Sequence, residues 1–247
     1  MLLREPLQVR SKGSAGPVTN IDLAVDALLE EKLRGARPDY GWLSEETPDD
    51  PNARANKARV FMLDPIDGTA AMVAGAPEFT ISIGIVEHDR AWAGAIYNPL
   101  TDSMFVGAIG SSAKFNGKTM HASARERLEG ASIVGKRGFY ADKRWPVPWP
   151  PMQFEPKQSI AYRMALVGAG AADATLLFGY KNEWDVAAGA AIVQAAGGRV
   201  TDPWGGALSF NQADPRIPGA IVSGAKLHPL LIERVSHVSH PREGAIS

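Results

Sequence analysis

Apolar residues recur at Ile21, Val25, Leu28, Leu29 and Leu33, the spacing of one helix face, and Thr19 with Asp22 three residues on supplies the start of that helix. The period then changes. Arg59-Val60-Phe61-Met62-Leu63 is a short apolar run that reads as a buried strand stopping at Asp64-Pro65. Phe79–Val86 and Trp92–Tyr97 read as two strands joined at Glu87-His88-Asp89-Arg90 in a hairpin, Ser103–Val106 adds another, and Asn116-Gly117 marks a tight turn. A helix is predicted from near Ser123, then a strand over Ala131–Val134. Pro146, Pro148, Pro150, Pro151 and Pro156 break regular structure and predict a long surface loop over 141–158. Beyond it helix and strand alternate. Tyr162–Ala169 reads as helix, Ala174–Phe178 as strand, Asp185–Ala196 as a helix closed by Gly197-Gly198, and Arg199–Thr201 and Ala220–Val222 as strands. Hairpins first and alternation later predict an antiparallel-rich N-terminal half, 1–122, and an α/β C-terminal half, 123–247, with a frayed tail from Ser236.

Composition narrows the chemistry. The chain has 247 residues, is 45% hydrophobic and carries a net charge of −1 from 26 basic and 27 acidic residues. That suits one large or two fused globular domains and lacks the basic footprint of a nucleic-acid binder. With no cysteine, disulfides, thiolate zinc sites, iron–sulfur clusters and a cysteine nucleophile are excluded. His88, His121, His228, His237 and His240 form no HxH or HExxH spacing, so a zinc site is not expected. No apolar run approaches ~18 residues, and Met1-Leu2-Leu3-Arg4-Glu5 is too short and too early charged for a signal peptide. A cytoplasmic location with no membrane partner is expected.

What remains is carboxylate, in three clusters: Glu45-Glu46, Asp64-Pro65-Ile66-Asp67-Gly68-Thr69, and Trp184-Asp185 at a helix start. A hydrophobic strand ending in two aspartates puts charge where a sheet opens into a crevice. Pro65 stiffens the turn between the acids, and Gly68-Thr69 offers backbone N–H groups to a phosphate. Two acids beside an anion seat call for cations between them, and oxygen-only ligands select hard ions, magnesium first. The plainer reading is an Asp-Pro turn followed by an Asp-Gly turn. Haloacid-dehalogenase-like phosphatases also follow a strand with aspartates, but in a DxDGT pattern two apart; Asp64 and Asp67 are three apart, which favours metal ligation over an aspartyl-phosphate. Taken singly, Glu45-Glu46 reads as a solvated acidic loop, Asp185 as a helix N-cap, and Asp22 as a first-turn acid facing the helix dipole.

The order Val18-Thr19-Asn20-Ile21-Asp22, Ser44-Glu45-Glu46, Asp64-Pro65-Ile66-Asp67-Gly68-Thr69, then Trp184-Asp185-Val186-Ala187-Ala188-Gly189 leading to Ala196-Gly197-Gly198 resembles the inositol monophosphatase superfamily over roughly residues 12 to 225. That resemblance implies a layered αβαβα fold, commonly a homodimer, and a magnesium-dependent, lithium-sensitive phosphomonoesterase using two or three ions. It makes Glu45, Asp64, Asp67 and Asp185, with the Ile66 main-chain carbonyl, the metal ligands. It makes Asp22 and Thr69 the pair that orients the attacking water, in a metal site where Glu45 also serves catalysis, and Gly68 and Thr69 the phosphate-holding amides. Asp67 and Asp185 would also border the substrate. Glu46 matches a family position with a less defined role, and Lys12 falls near a family lysine.

Two departures bear on the substrate and assembly. Only about eleven residues precede the Lys12 region, where most members carry a further helix. Inositol-specific members have a glutamate about seven residues before the Trp-Asp aspartate, where this chain has Leu177-Phe178-Gly179. The stretch Phe178-Gly179-Tyr180-Lys181-Asn182-Glu183-Trp184-Asp185 is closer to bacterial bisphosphate nucleotidases, with Phe178 or Tyr180 to stack on a base and Lys181 to meet a second phosphate; Glu183 is another acid that could serve an inositol ring. The alternative is a core Phe178 and a solvated Lys181. The expected substrate is a small phosphorylated metabolite, 3′-phosphoadenosine 5′-phosphate ahead of inositol 1-phosphate, then histidinol phosphate or a sugar bisphosphate. A non-catalytic metal- or phosphate-binding regulator on the same fold is the rival from another class.

Overall fold

A three-residue ribbon, β1 (Val9–Ser11) with β2 (Pro17–Thr19), leads into α1 (Asn20–Ala36) in the computed structural model, which describes residues 6–13, 16–141 and 145–237. Thr19 is the N-cap: its hydroxyl accepts from the Ile21 and Asp22 N–H groups while Asp22 takes the Thr19 N–H, a capping box. The apolar spacing that predicts α1 buries Val25, but Leu28 stays exposed.

Seven strands form the large sheet in chain order. After β3 (Gly41–Ser44) the chain passes through α2 (Pro51–Ala55) to β4 (Arg59–Asp67), then α3 (Thr69–Val73) and β5 (Thr80–Glu87), β6 (Arg90–Asn98), β7 (Ser103–Ala108), β8 (Lys114–Phe115) and β9 (Lys118–Thr119). β3 and β4 run parallel and every later neighbour is antiparallel. Asn116 and Gly117 take φ of 44° and 79°, the two left-handed residues of a tight hairpin.

The second sheet has β10 (Ser132–Val134), then α4 (Arg137–Tyr140), β11 (Gln153–Glu155), α5 (Ile160–Gly168), β12 (Ala174–Asn182), α6 (Glu183–Ala195), β13 (Gly198–Thr201), β14 (Arg216–Gly224) and α7 (His228–Val235). Its order is β11-β10-β12-β14-β13, parallel around β10 and antiparallel around β14. α1 packs along β4, α5 and α6 lie between the sheets, and α7 covers β14, giving the αβαβα layering. Among the described residues no helix is long and apolar enough to cross a membrane.

Three expectations fail for identifiable reasons. No helix starts near Ser123. That stretch runs extended, its Ala122 N–H given to Ala196 O and the Ser123 hydroxyl to Asp173. The proline-rich loop holds the short strand β11, which survives because it is an edge strand with Pro151 and Pro156 outside it. β4 does not stop at Asp64 but continues to Asp67. The tail expected from Ser236 lies, from residue 238 on, outside the described residues.

α6 sits unusually close to the large sheet. Gly84, Gly94 and Gly107 are cross-strand partners on β5, β6 and β7, and a Cβ on Gly94 would come within 2.2 Å of the Ala188 carbonyl oxygen. Cβ atoms on Gly84 and Gly107 would come within 2.9 Å of Ala187 and Ile192. The other side of α6 is equally tight, since a Cβ on Gly189 would meet Met164 of α5 at 2.6 Å. The row of glycines is a trough in which the helix backbone lies.

Gly94→Ala should therefore lower the unfolding free energy by about 3 kcal/mol or more in a urea titration, because backbone rather than a flexible side chain has to move. Gly35→Ala, with open space around it in α1, should instead stabilise by up to ~1 kcal/mol. Equal, small effects at the two positions would rule out the trough as the constraint on α6.

Candidate active site

The acids of the Asp64–Thr69 segment are placed by a bulge. In a regular strand, residues three apart face opposite sides. Here Asp64 pairs with Ser82 and Asp67 with Thr80, so two residues on β4, Pro65 and Ile66, oppose one on β5, Ile81. The extra residue returns Asp67 to the face of Asp64, and Pro65, which has no N–H to offer a ladder, sits within the irregularity. Both carboxylates then point to the side on which α5 and α6 pack.

The surroundings of the two differ. Asp67 Oδ2 accepts from Ser159 Oγ at 2.7 Å and from the Ala161 N–H at 2.5 Å, at the start of α5. Asp64 is buried and its Oδ1 has no hydrogen-bond partner. Burial pushes the Asp64 carboxyl well above the usual range, and the charges of Asp67, Glu45 and Asp185 push it further. Asp185 is raised by burial, then by Asp67 and Glu45. Asp67 is raised by burial against the pull of Ser159 and the α5 amides. Glu45 is raised by burial, offset in part by Lys12. Four carboxylates thus share one poorly hydrated space.

Glu45 and Glu46 follow β3, where the Glu45 N–H still bonds Leu63 O at 3.1 Å. Lys12 Nζ reaches Glu46 at 2.5 Å and Glu45 at 3.4 Å. Asp26, one helical turn beyond Asp22 on α1, accepts from the hydroxyls of Ser44 and, at 2.7 Å, Thr47, which flank the pair. Asp185 is not the N-cap of α6. Asn182 caps, and Asp185 at the third helical position takes the Asn182 N–H at 3.2 Å, a second capping box.

Asp22 is buried and its Oδ1 accepts from Thr69 Oγ1 at 2.8 Å; the same hydroxyl lies 2.9 Å from Ile66 O. Gly68 between them has φ 98°, and a Cβ there would meet Glu78 O at 2.8 Å, so only glycine fits this turn. The first N–H groups of the α3 turn have no intrahelical acceptor.

The segment before Trp184 reaches this group through the charge of Lys181, which acts on Asp185, while its other contacts lie elsewhere. The Phe178 ring stacks on Phe139 at 4.6 Å with Trp145 at its edge, inside the aromatic layer of the small sheet. Lys181 Nζ donates to the carbonyls of Phe178, Gly179 and Tyr180 at 2.8, 3.1 and 3.0 Å, which uses its three donors on its own turn. Glu183 is fully buried, accepts from the Asn211 and Gln212 N–H groups, and is pushed by burial up to about 7. It is therefore not an acid for a sugar ring. Tyr180 is exposed, with Arg216 over its ring at 5.0 Å.

Sequence reasoning missed Ser159 and Arg163. Ser159 caps α5 through the Tyr162 N–H and gives its proton to Asp67. Arg163, held by the carbonyls of Lys157 and Gln158 at 2.6 and 3.0 Å, lies close enough for its charge to act on Asp67. A serine before a helical run was a readable cap signal; its partner 92 residues away was not.

The donor set suits a hard cation. Every side chain offered is an oxygen ligand, and the bare Asp64 Oδ1 is a buried acceptor that only a cation, a proton or water can satisfy. Among the described residues no three of these side chains already converge on one point, as expected where like charges face each other.

The chain matches the sequence profile of the inositol monophosphatase family over residues 2–240. It is 31% identical over 243 residues to the Nus factor SuhB of Pasteurella multocida, covering 92% of this chain and 88% of that protein. It is 30% identical over 223 residues to the 3′(2′),5′-bisphosphate nucleotidase CysQ of Escherichia coli K12, covering 89% and 90%. The crystal structure of suhB from Bartonella henselae superposes with a TM-score of 0.81 at 30% identity, over 94% of this chain and 90% of that one.

Asp64 and Asp185 hold their protons above the ordinary aspartate value of 3.8. From that value up through the raised ones, the folded state binds more protons than the unfolded state, so stability falls as pH rises. Metal-free protein should therefore lose Tm as pH rises from the ordinary aspartate value of 3.8 through the raised ones. Asp64→Asn should flatten that dependence and abolish the rise in Tm on adding magnesium. A Tm that climbs with pH and is indifferent to the substitution would contradict the repulsive cluster.

Proposed function

The chain belongs to the inositol monophosphatase family, and from that premise we propose that it is a magnesium-dependent phosphomonoesterase acting by direct attack of water, with 3′-phosphoadenosine 5′-phosphate as its favoured substrate. The observation that carries the reading is the bulge that sets Asp64 and Asp67 on one face, with Asp64 Oδ1 left bare beside the charges of Asp67, Glu45 and Asp185.

Glu45, Asp64, Asp67, Asp185 and the Ile66 carbonyl would hold two or three magnesium ions. Such ions, when bound, lower the pKa of water and neutralise charge on attacking and leaving oxygens. The chain's own groups do the aiming. Thr69 has one hydroxyl proton and two acceptors in reach, Asp22 and Ile66 O. The hydroxyl donates to the carboxylate, leaving a Thr69 lone pair to accept a hydrogen bond from the attacking water; as that water gives up its proton to Thr69, the Thr69 proton would pass to Asp22. The Gly68 and Thr69 N–H groups would hold phosphoryl oxygens, the positive-φ glycine letting the backbone approach.

For the second phosphate, the cation moves from Lys181, all three of whose donors are used on its own turn, to Arg163, which has five donors and spends two of them on the carbonyls of Lys157 and Gln158. Tyr180, exposed where Phe178 is stacked away, is the ring left for a base. The inositol-selecting acid is absent from Leu177-Phe178, and Glu183 is spent on Asn211 and Gln212. A binding role without turnover is the second reading, motivated by the relative that carries the name of a Nus factor.

Asp67→Asn and Asp185→Asn should each cut magnesium-dependent turnover by at least ~100-fold while the fold persists. Normal activity in either sinks the assignment, and no turnover of any phosphomonoester by the native protein favours the binding role. Hydrolysis of a chiral phosphate ester should invert configuration at phosphorus; retention would mean a covalent phospho-enzyme.

Substrate choice is read from kcat/KM. 3′-Phosphoadenosine 5′-phosphate should exceed inositol 1-phosphate, and Arg163→Ala should shrink the ratio by lowering the former more than the latter. An inositol preference unaltered by Arg163→Ala would overturn the nucleotide reading and leave the phosphatase standing. Millimolar lithium should inhibit.

A further inference from the structure

Arg54 is buried to 1% exposure and binds on two sides. On one, Nε and Nη2 fork onto Asp49 at 2.8 Å each. On the other, Nη1 donates to Asn211 Oδ1 at 2.7 Å and Nη2 to Gln212 O at 2.8 Å, with Asn211 Nδ2 returning to Arg54 O at 3.5 Å. A guanidinium this deep is costly to dehydrate and is kept only where its hydrogen bonds are met; four of its five donors are accounted for here.

Each side ends on a segment that carries one of the clustered acids. Asp49 closes the short segment that begins with Glu45 and Glu46, a segment already pinned at Ser44 and Thr47 by Asp26. The Asn211 and Gln212 N–H groups are both held by the carboxylate of Glu183, at 2.6 and 3.0 Å. Glu183 opens α6, and Asp185 stands in the same first turn. Asn211 holds φ 60°, a left-handed conformation fixed by these contacts on its backbone and side chain.

We propose that Arg54 is a positioning residue: the chain of contacts Asp49–Arg54–Asn211/Gln212–Glu183 sets the separation of Glu45 from Asp185, and with it the affinity of the site for magnesium. The two acids come from opposite sides of the cluster, one after a strand of the large sheet and one on the helix between the sheets. Their mutual repulsion drives them apart, and the strap is the covalently unconnected tie that resists it. This rests on the magnesium-site reading above but adds residues outside the ligand set.

The test is a calorimetric titration of the full chain with magnesium alone, alongside the magnesium dependence of turnover. Asn211→Gly removes the cross-tie, keeps the Glu183 contact to the backbone N–H and suits a positive φ. Arg54→Lys keeps the charge and loses the fork, and it carries the same test should the first variant fold poorly. Both should weaken magnesium binding on the order of 10-fold, the lower end of what losing a supporting hydrogen bond costs a metal site. At saturating magnesium kcat should return to near the native value. Leu231→Ala, a cavity remote in α7, should lower Tm and leave magnesium affinity alone. If Asn211→Gly and Arg54→Lys lower Tm with magnesium affinity unchanged, Arg54 is structural only and the proposal fails. Native protein that binds magnesium yet turns over no phosphomonoester removes the phosphatase reading and leaves the strap to be decided by calorimetry. Native protein that binds no magnesium removes both.

Discussion

The close seat of α6 on β5, β6 and β7 is the contact on which the rest of the molecule depends. Without Cβ atoms at Gly84, Gly94 and Gly107 the helix backbone lies against the sheet itself. That places Asp185 within electrostatic range of Asp64 and Asp67. The same helix fills the interior of the second sheet through Val186, Ala190 and Val193. Small residues facing the trough, Ala187 and Ala188, and Gly189 facing Met164 let one helix serve as core for both layers. Dispersion and apolar burial then stabilise a position that the acids, left to their charges, would oppose.

The site is accordingly a compromise between packing and charge. All four acids are raised in pKa first by burial; Asp64 and Asp185 are raised further by their neighbours, Glu45 by Asp67 against the pull of Lys12, and Asp67 against the pull of Ser159 and the α5 amides. The supports are of a different character. Asp67 is steadied by a hydroxyl and a helix N-terminus, Asp22 by Thr19 and Thr69, and the Glu45 segment by Asp26 through two more hydroxyls. For Asp22 and Asp67 the hydrogen bonds come from neutral donors, which hold the side chains without cancelling their charge, whereas the Glu45 side chain itself meets the Lys12 ammonium.

What the sequence disclosed follows from how local each signal is. Thr19 and Asp22 cap α1 through a three-residue contact, and Asn116-Gly117 specifies its hairpin within two residues; both are legible without knowing any partner. The family pattern likewise lies in short segments. The Asp64–Asp67 segment reads as a turn, because a bulge is defined by the opposing strand and Ser82 and Thr80 are far along the chain. Phe178 and Lys181 show the same limit: an aromatic and a lysine before Trp184 read as ligand contacts, and only the folded chain gives them Phe139 and the carbonyls of 178–180 as partners. Ser123 carries a helix-start signal that its tie to Asp173 overrides. Arg54 leaves no trace at all, since a buried arginine and a surface one are spelled alike.

Asp22 and Asp185 occupy the same place, the third position of a helix whose cap they complete. Each side chain is therefore oriented by a backbone N–H only three residues before it. Its aim is inherited with four consecutive letters of sequence. Insertions, deletions or wholesale replacement of the loops that meet a substrate leave those four-residue jigs intact. A lineage built this way can change its loops while the two acids keep their aim, so relatives near 30% identity that carry names as different as a Nus factor and a nucleotidase require no redesign of these helix starts.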